Sequence, residues 1–248
     1  MGGDAAGWLI LTGAGFVAGA LNVVAGGGSF LTLPLLIFLG LPSAVANATN
    51  RVGVVVQNVG GVWGFQRHAV MDWPWGLWAS VPSVVGAVVG AWAALQVGDA
   101  AFRRILALVM IVVSLWTLVD PLKGLRRTAV SSPNDPGIVL GFLAVGLYGG
   151  FVQAGVGFLV LAVTTAAGLD LVRGNAVKVL TVLALTLVSL LVFVSAGKVD
   201  WPMGLALAIG NFAGSLVGVR LTVVKGHAWV KGVVTATVIA FAIKLWFF

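Results

Sequence analysis

Leu21-Asn22-Val23-Val24-Ala25-Gly26-Gly27-Gly28-Ser29 lies inside a run, Ala5 to Asn50, that holds no charged side chain. A second uncharged run, Gly137 to Leu169, contains Phe151-Val152-Gln153-Ala154-Gly155-Val156-Gly157. Apolar runs of this length read as membrane helices, because lipid offers backbone groups no partner except each other. The glycines oppose that reading locally, since each disfavours a helix by about 1 kcal/mol relative to alanine. Helices broken at Gly26–Gly28 and again at Gly155–Gly157 are the expectation.

Composition agrees with lipid as the solvent. The 248 residues are 60% apolar and 8% charged, against roughly 25% charged in soluble domains. The spans should be helices, because Trp73–Leu95 is uncharged throughout and far exceeds the roughly 9–11 residues of a barrel strand. The net charge of +7 sits mostly at segment ends, which fits topology and lipid headgroups better than nucleic acid. The chain has no cysteine, which excludes disulfides, thiolate metal sites and a cysteine nucleophile. Asp4 is the only charge before Trp8, so the N-terminus lacks the basic region of a signal peptide and its first helix is expected to be retained.

The two halves match. An offset of 128 residues carries Gly40-Leu41 onto Gly168-Leu169, Asn47-Ala48 onto Asn175-Ala176, and Asp72-Trp73-Pro74 onto Asp200-Trp201-Pro202. Upstream of the glycine clusters the offset is 131, carrying Gly15 and Gly19 onto Gly146 and Gly150, and Asn22 onto Gln153. A constant offset of this kind indicates duplication. Residues 1–120 then form a first transmembrane repeat, 121–136 a polar linker, and 137–248 a second repeat. The positive-inside rule favours inverted over parallel halves, since that arrangement puts Arg67, Lys123, Arg126, Arg127, Arg173, Lys225 and Lys231 on one side. The expected fold is an all-α polytopic membrane protein of two inverted repeats with eight to ten membrane-embedded helical segments.

Two plain structural devices accompany the repeat. Asp-Trp-Pro supplies a helix cap, a first-turn proline and an interfacial aromatic. Glycines four apart, such as Gly86/Gly90 and Gly146/Gly150, let helix backbones approach closely.

The polar residues concentrate beside the breaks. A helix restarting at Ser29 or Phe30 offers free N–H groups and the positive end of its dipole, suited to an oxyanion; a tight connector between crossings is the plainer alternative. Asn47, Thr49, Asn50 and Arg51 follow in an otherwise apolar segment, with Gln57 and Asn58 beyond them as lining or interhelical glue. Asn175 and Lys178 repeat the situation. No acid lies close in sequence to neutralise Arg51 or Lys178, so each either snorkels to an interface or awaits an anion. The expected substrate site is Asn22, Gly26, Gly27, Gly28, Ser29, Asn47, Thr49, Asn50, Arg51, Gln57, Gln153, Gly155, Gly157, Asn175 and Lys178. Broken helices at matching places in two halves are the pattern of a transporter's substrate site.

The arrangement resembles the sulfite exporter TauE/SafE family of membrane permeases. The resemblance rests on Gly15-x-x-x-Gly19-x-x-Asn22 running into Ala25-Gly26-Gly27-Gly28-Ser29. It continues through Pro34-Leu35-Leu36, the Gly40…Ala46-Asn47-Ala48-Thr49-Asn50 stretch and the degenerate second copy. It covers nearly the whole chain and implies export of a small sulfur-containing anion, sulfite or an organosulfonate, across the cell inner membrane. Asn50-Arg51 and Val177-Lys178 depart from the small or hydroxyl residues expected after Ala-Thr, which leaves the choice of anion open. An anion channel and a permease for another carboxylate or oxyanion are the competing functions. No cofactor, metal or nucleic acid is expected; lipid and a second copy of the chain are the expected partners. His68 and His227 stand alone and no nucleophile or metal motif appears, so an enzyme is not expected. No acid lies deep in a span, which disfavours a carboxylate proton relay.

Overall fold

The computed structural model describes residues 5–119 and 130–247. Among these residues it has nine helices and no strand. They are α1 (Ala5–Val24), α2 (Ser29–Phe38), α3 (Ser43–Arg67), α4 (Trp73–Gln96), α5 (Asp99–Val119), α6 (Pro136–Phe151), α7 (Val156–Ala166), α8 (Leu171–Ser195) and α9 (Trp201–Phe247). Stretches of α1, α4, α8 and α9 are long and apolar enough to cross a membrane. By contrast α2 and α7, with 10 and 11 residues, extend only about 15 Å at 1.5 Å per residue, half a hydrocarbon core.

Two boundaries differ from what the apolar runs alone suggest. The uncharged run Val179–Ala196 starts after Lys178, yet α8 starts at Leu171, because Asp170 caps the helix there by accepting from Val172 N and Arg173 N at 2.9 and 3.0 Å. The polar stretch Lys225-Gly226-His227, which separates the apolar runs Trp201–Val223 and Ala228–Phe248, reads as a connector, yet α9 runs unbroken from Trp201 to Phe247. Its one proline, Pro202, sits in the first turn where it is tolerated, and one glycine at 226 need not end a helix. Most of the expected linker, residues 120–129 with Lys123, Arg126 and Arg127, falls outside the described residues. The Asp-Trp-Pro triplets act as caps: Asp72 Oδ1 accepts from Trp75 N at 3.2 Å, and Asp200 Oδ1 from Met203 N at 3.0 Å.

The helices pack in two close pairs. Along α1 and α9, Gly15 and Gly19 lie on the backbone of Leu207 and Asn211, while Gly210 and Gly214 lie on that of Thr12 and Phe16. Along α4 and α6, Gly86 and Gly90 meet the backbone of Leu143 and Leu147, while Gly146 and Gly150 meet Ser83 and Ala87. Any side chain at these positions would overlap the neighbouring main chain, so glycine is what permits the approach. Between the pairs, α3 lies against α9 and α8, and α8 against α4.

The distribution of polarity is inverted relative to a soluble domain. Leu9, Phe38, Trp78, Trp92, Leu140, Leu191 and Ile209 face outward, whereas Asn47, Thr49, Asn50, Arg51, Asn175 and Thr186 are wholly buried. Apolar surface facing out and paired polar groups facing in is the arrangement lipid selects. The protein is a membrane protein.

Outside the spans, Asp99 fixes where α3 begins. Its carboxylate accepts from the Ser43 backbone N–H and pairs with Arg103 at 3.0 Å, while Arg103 also donates to Ser43 Oγ at 3.1 Å. The Ser43 N–H above all, against some desolvation, holds the Asp99 carboxyl below the usual carboxylate range. A depressed folded pKa means stability present above the unfolded value of about 3.9 and lost as pH falls through the folded one. Asp99→Asn is therefore expected to flatten the fall in melting temperature between roughly pH 5 and 3; an unchanged pH profile contradicts this.

The glycine contacts make a second prediction. Gly146→Ala, whose Cβ would sit 2.7 Å from Ser83 Cα, is expected to destabilise by about 1–3 kcal/mol, the usual cost of overpacking. Gly13→Ala, which meets nothing within 4 Å, is expected to leave the detergent melting temperature unchanged or raised. Equal behaviour of the two variants would show that close packing of α6 on α4 is unimportant.

Candidate functional site

The two glycine clusters touch. Gly26 takes a left-handed φ of +94° and turns the chain after α1; a Cβ there would stand 2.6 Å from Gly157 Cα. Phe30 and Phe158 stack beside this contact with centroids 6.2 Å apart. The first residues of α2 and α7 are thereby brought to one place. Gly27 packs on the Phe158 ring, Gly28 on the Ala18 backbone, and Gly155 on the Phe30 ring.

Four helix ends are consequently buried together, and each must find partners. The C-terminal ends are held reciprocally. On α3, Asn47 Nδ2 donates to the Phe151 carbonyl at 2.9 Å and Arg51 Nη2 to the Gly150 carbonyl at 2.6 Å, both at the end of α6. Arg51 Nη1 also donates to Gln153 Oε1 at 2.9 Å, and its guanidinium lies 4.9 Å from the Phe193 ring centroid. On α8, Lys178 Nζ donates to the Asn22 and Val23 carbonyls at 2.8 and 2.7 Å, and Asn175 Nδ2 to the Val24 carbonyl at 3.4 Å, all at the end of α1. Lys178 spends its remaining proton on Asn175 Oδ1. Spacings of four and three residues put each amide and its cation on one helix face.

This differs from the sequence expectation about charge. Neither cation snorkels: Arg51 is 0% and Lys178 2% exposed. Neither lacks a partner, because backbone carbonyls stand in for the missing acids. The negative ends of two helix dipoles attract cations, a pairing invisible in sequence because carbonyl partners leave no residue signature.

The positive ends remain. Gly28 N donates to Asn22 Oδ1 at 2.7 Å, and Phe158 N to the Gly155 carbonyl at 3.0 Å. Around the first turns of α2 and α7 lies a small open cavity lined by Asn22, Gly26, Ser29, Val54, Gln57, Asn58, Gln153, Val156, Gly157, Lys178 and Val182. Its volume is about 10 Å³, and a single water needs roughly 10–15 Å³.

Of the expected site residues, Asn22, Gly26, Ser29, Gln57, Gln153, Gly157 and Lys178 line the cavity. Gly27, Gly28 and Gly155 shape the turns around it, and Asn47, Arg51 and Asn175 hold helix ends nearby. Thr49 and Asn50 are elsewhere: Thr49 Oγ1 accepts from Asp200 N at 2.9 Å, and Asn50 Oδ1 from Thr32 Oγ1 at 2.6 Å. Val54, Val156 and Val182 were not expected. Val54 lies within one helical turn of Gln57 and Asn58, so face periodicity on α3 was the available signal.

Two buried chain reversals beside a small cavity, in a helical membrane protein, match the pattern of a membrane transporter. A family model described as "Sulfite exporter TauE/SafE" matches residues 11–245. The chain belongs to that family. "Probable membrane transporter protein YfcA" of Escherichia coli (strain K12) is 28% identical over 230 residues, spanning 92% of this chain and 86% of that one. "Probable membrane transporter protein ORF9" of Sinorhizobium sp is 28% identical over 234 residues, 94% of this chain and 89% of its own. A "Probable membrane transporter protein" of Haemophilus influenzae (strain ATCC 51907 / DSM 11121 / KW20 / Rd) is 27% identical over 228 residues, 89% and 87% of the two chains. No solved structure matches the chain significantly.

Removing a cation from a helix end leaves buried carbonyls unpaired, at about 1–3 kcal/mol for each group. Arg51→Met and Lys178→Met are each expected to lower thermal stability in detergent by at least that amount. A change below about 0.5 kcal/mol, the level of ordinary neutral substitutions, would show that neither cation braces its helix.

Proposed function

We propose that the protein is a permease that exports a small oxyanion, sulfite or an organosulfonate, by alternating access at a site between two inverted repeats. The carrying observation is the convergence of the first turns of α2 and α7 on one small cavity beside Lys178. With the C-terminal ends already held by Arg51, Lys178 and their asparagines, the uncompensated polarity facing the cavity is positive. Ser29, Gln57 and the first N–H groups of α2 and α7 are the proposed ligand contacts, Lys178 supplies charge, and Asn47, Arg51 and Asn175 support them.

Reciprocal pairing supports the duplication. The α1–α9 contact has its counterpart in α6–α4, and the clasp of α3 on α6 in that of α8 on α1. The turns recur at the same offset: Gly40 and Gly168 have φ of +97° and +93°, with Leu41 N bonded to the Leu36 carbonyl and Leu169 N to that of Thr164. The small cavity supports a carrier over an open pore, since a multi-atom anion enters only if the repeats separate. The description of the family as an exporter supports residence in the cell inner membrane.

The test is a ligand panel followed by flux. Sulfite, sulfoacetate and carboxylate controls are titrated against purified protein by thermal shift, and active anions are assayed in proteoliposomes. Saturable, gradient-dependent flux is expected, and Gly157→Val, which must displace Gly26, is expected to reduce it at least about tenfold, since misplacements near 1 Å already cost some hundredfold. Unsaturating flux favours a channel, and no stabilisation by any anion contradicts the proposal.

A further inference from the structure

Lys178 cannot donate to a ligand in this arrangement. An ammonium has three protons, and all three are engaged by the Asn22 carbonyl, the Val23 carbonyl and Asn175 Oδ1. Direct side-chain donation must come from another residue, and the hydrogen-bond network identifies it.

A backbone N–H can only donate. Gly28 N, 2.7 Å from Asn22, therefore fixes which atom of the Asn22 amide is the oxygen. The other end of Asn22 is then the NH₂ group, and it points at Gln57, 2.9 Å away. Gln57 must meet it with its oxygen. The Gln57 Nε2 protons are left over, without a partner among the described residues, on a side chain that is 2% exposed and lines the cavity.

We infer that Asn22 fixes the polarity of Gln57, so that Gln57 presents N–H donors to the ligand and selects an oxyanion that accepts a hydrogen bond there. The inference rests on the oxyanion-carrier reading and names within it the specificity-determining side chain, Gln57, and its positioning residue, Asn22. One feature follows from the polarity: a ligand face carrying a proton meets a second donor and is rejected, because unpaired buried donors are costly. The device belongs to one half only. The offset of 128 places Leu185 opposite Gln57, and Leu185 is wholly buried in apolar contact.

The test is a double-mutant cycle read by calorimetric titration of sulfite and sulfoacetate into the purified full-length protein. Gln57→Leu, which installs the other half's residue, is expected to weaken binding at least about tenfold. Asn22→Asp keeps an acceptor for Gly28 N but has no donor for Gln57, which is then free to turn its oxygen inward. The repulsion between the new carboxylate and the anion is common to both backgrounds, so it cancels in the cycle. Asn22→Asp is therefore expected to weaken binding by a factor about five or more larger in the Gln57 background than in the Gln57→Leu background. Gln57→Met substitutes for Gln57→Leu if the latter fails to purify as a monodisperse species. Equal factors in the two backgrounds, or Gln57→Leu binding as tightly as wild type, overturn the inference while leaving the oxyanion reading intact. Wild-type protein that binds neither anion removes both.

Discussion

A helix that ends inside a protein surrounded by lipid has nowhere to send its terminal backbone groups except to other parts of the protein. Four such ends meet between α1/α2 and α6/α7, and the architecture follows from satisfying them. The two C-terminal ends need donors, which arrive as Asn47–Arg51 from α3 and Asn175–Lys178 from α8, each reaching across to the other half. Cations are tolerated here without acids because the carbonyls they bind form the negative pole of a helix. The end of α1 thereby depends on α8, and the end of α6 on α3. Neither break is expected to be stable alone.

That reciprocity explains why the glycines cluster where they do. Gly26 and Gly157 stand in contact so that two chain reversals share one level, and the glycines along α1–α9 and α4–α6 keep the surrounding helices close. Both the turns and the clasps are needed to leave a cavity whose polar lining is drawn from both halves. No acid lines the cavity at the positive ends of α2 and α7, which is the basis of the anion preference proposed for the site. The donor role inferred for Gln57 has the same origin, since its polarity is set through Asn22 by a backbone N–H of the α2 turn.

Much of the fold was legible because lipid imposes simple rules on sequence. Uncharged runs located the helices, glycine spacing marked the close pairs, and Asp-Trp-Pro located helix starts, with Asp72 and Asp200 capping as their chemistry requires. The chain reversal after α1 falls at the first glycine cluster, whereas the one after α6 falls at residues 152–155 and leaves Gly157 inside α7; seven of the residues expected at a substrate site line the cavity. What was not legible were the partners. Arg51 and Lys178 have no acid near them in sequence, which left snorkelling and an anionic ligand as the readings, because their partners are backbone carbonyls that any residue type supplies. Thr49 and Asn50 share a motif with Asn47 and Arg51 yet bond to Asp200 and Thr32. Helical phase separates Thr49, which points about 200° from Asn47 at roughly 100° per residue. It does not separate Asn50, which lies three residues from Asn47 and on its face, so that partner was not readable from sequence. The continuity of α9 was hidden for a related reason, since a polar Lys-Gly-His stretch resembles a turn but contains nothing that forbids a helix.

An experimental structure with a heavy oxyanion such as selenite bound tests the convergence of positive helix ends most directly. The anion is predicted to lie between the first turns of α2 and α7, within hydrogen-bonding reach of Ser29 or Gln57. Selenite found only at surface lysines, with the space between Gly26 and Gly157 empty at saturating concentration, would contradict it.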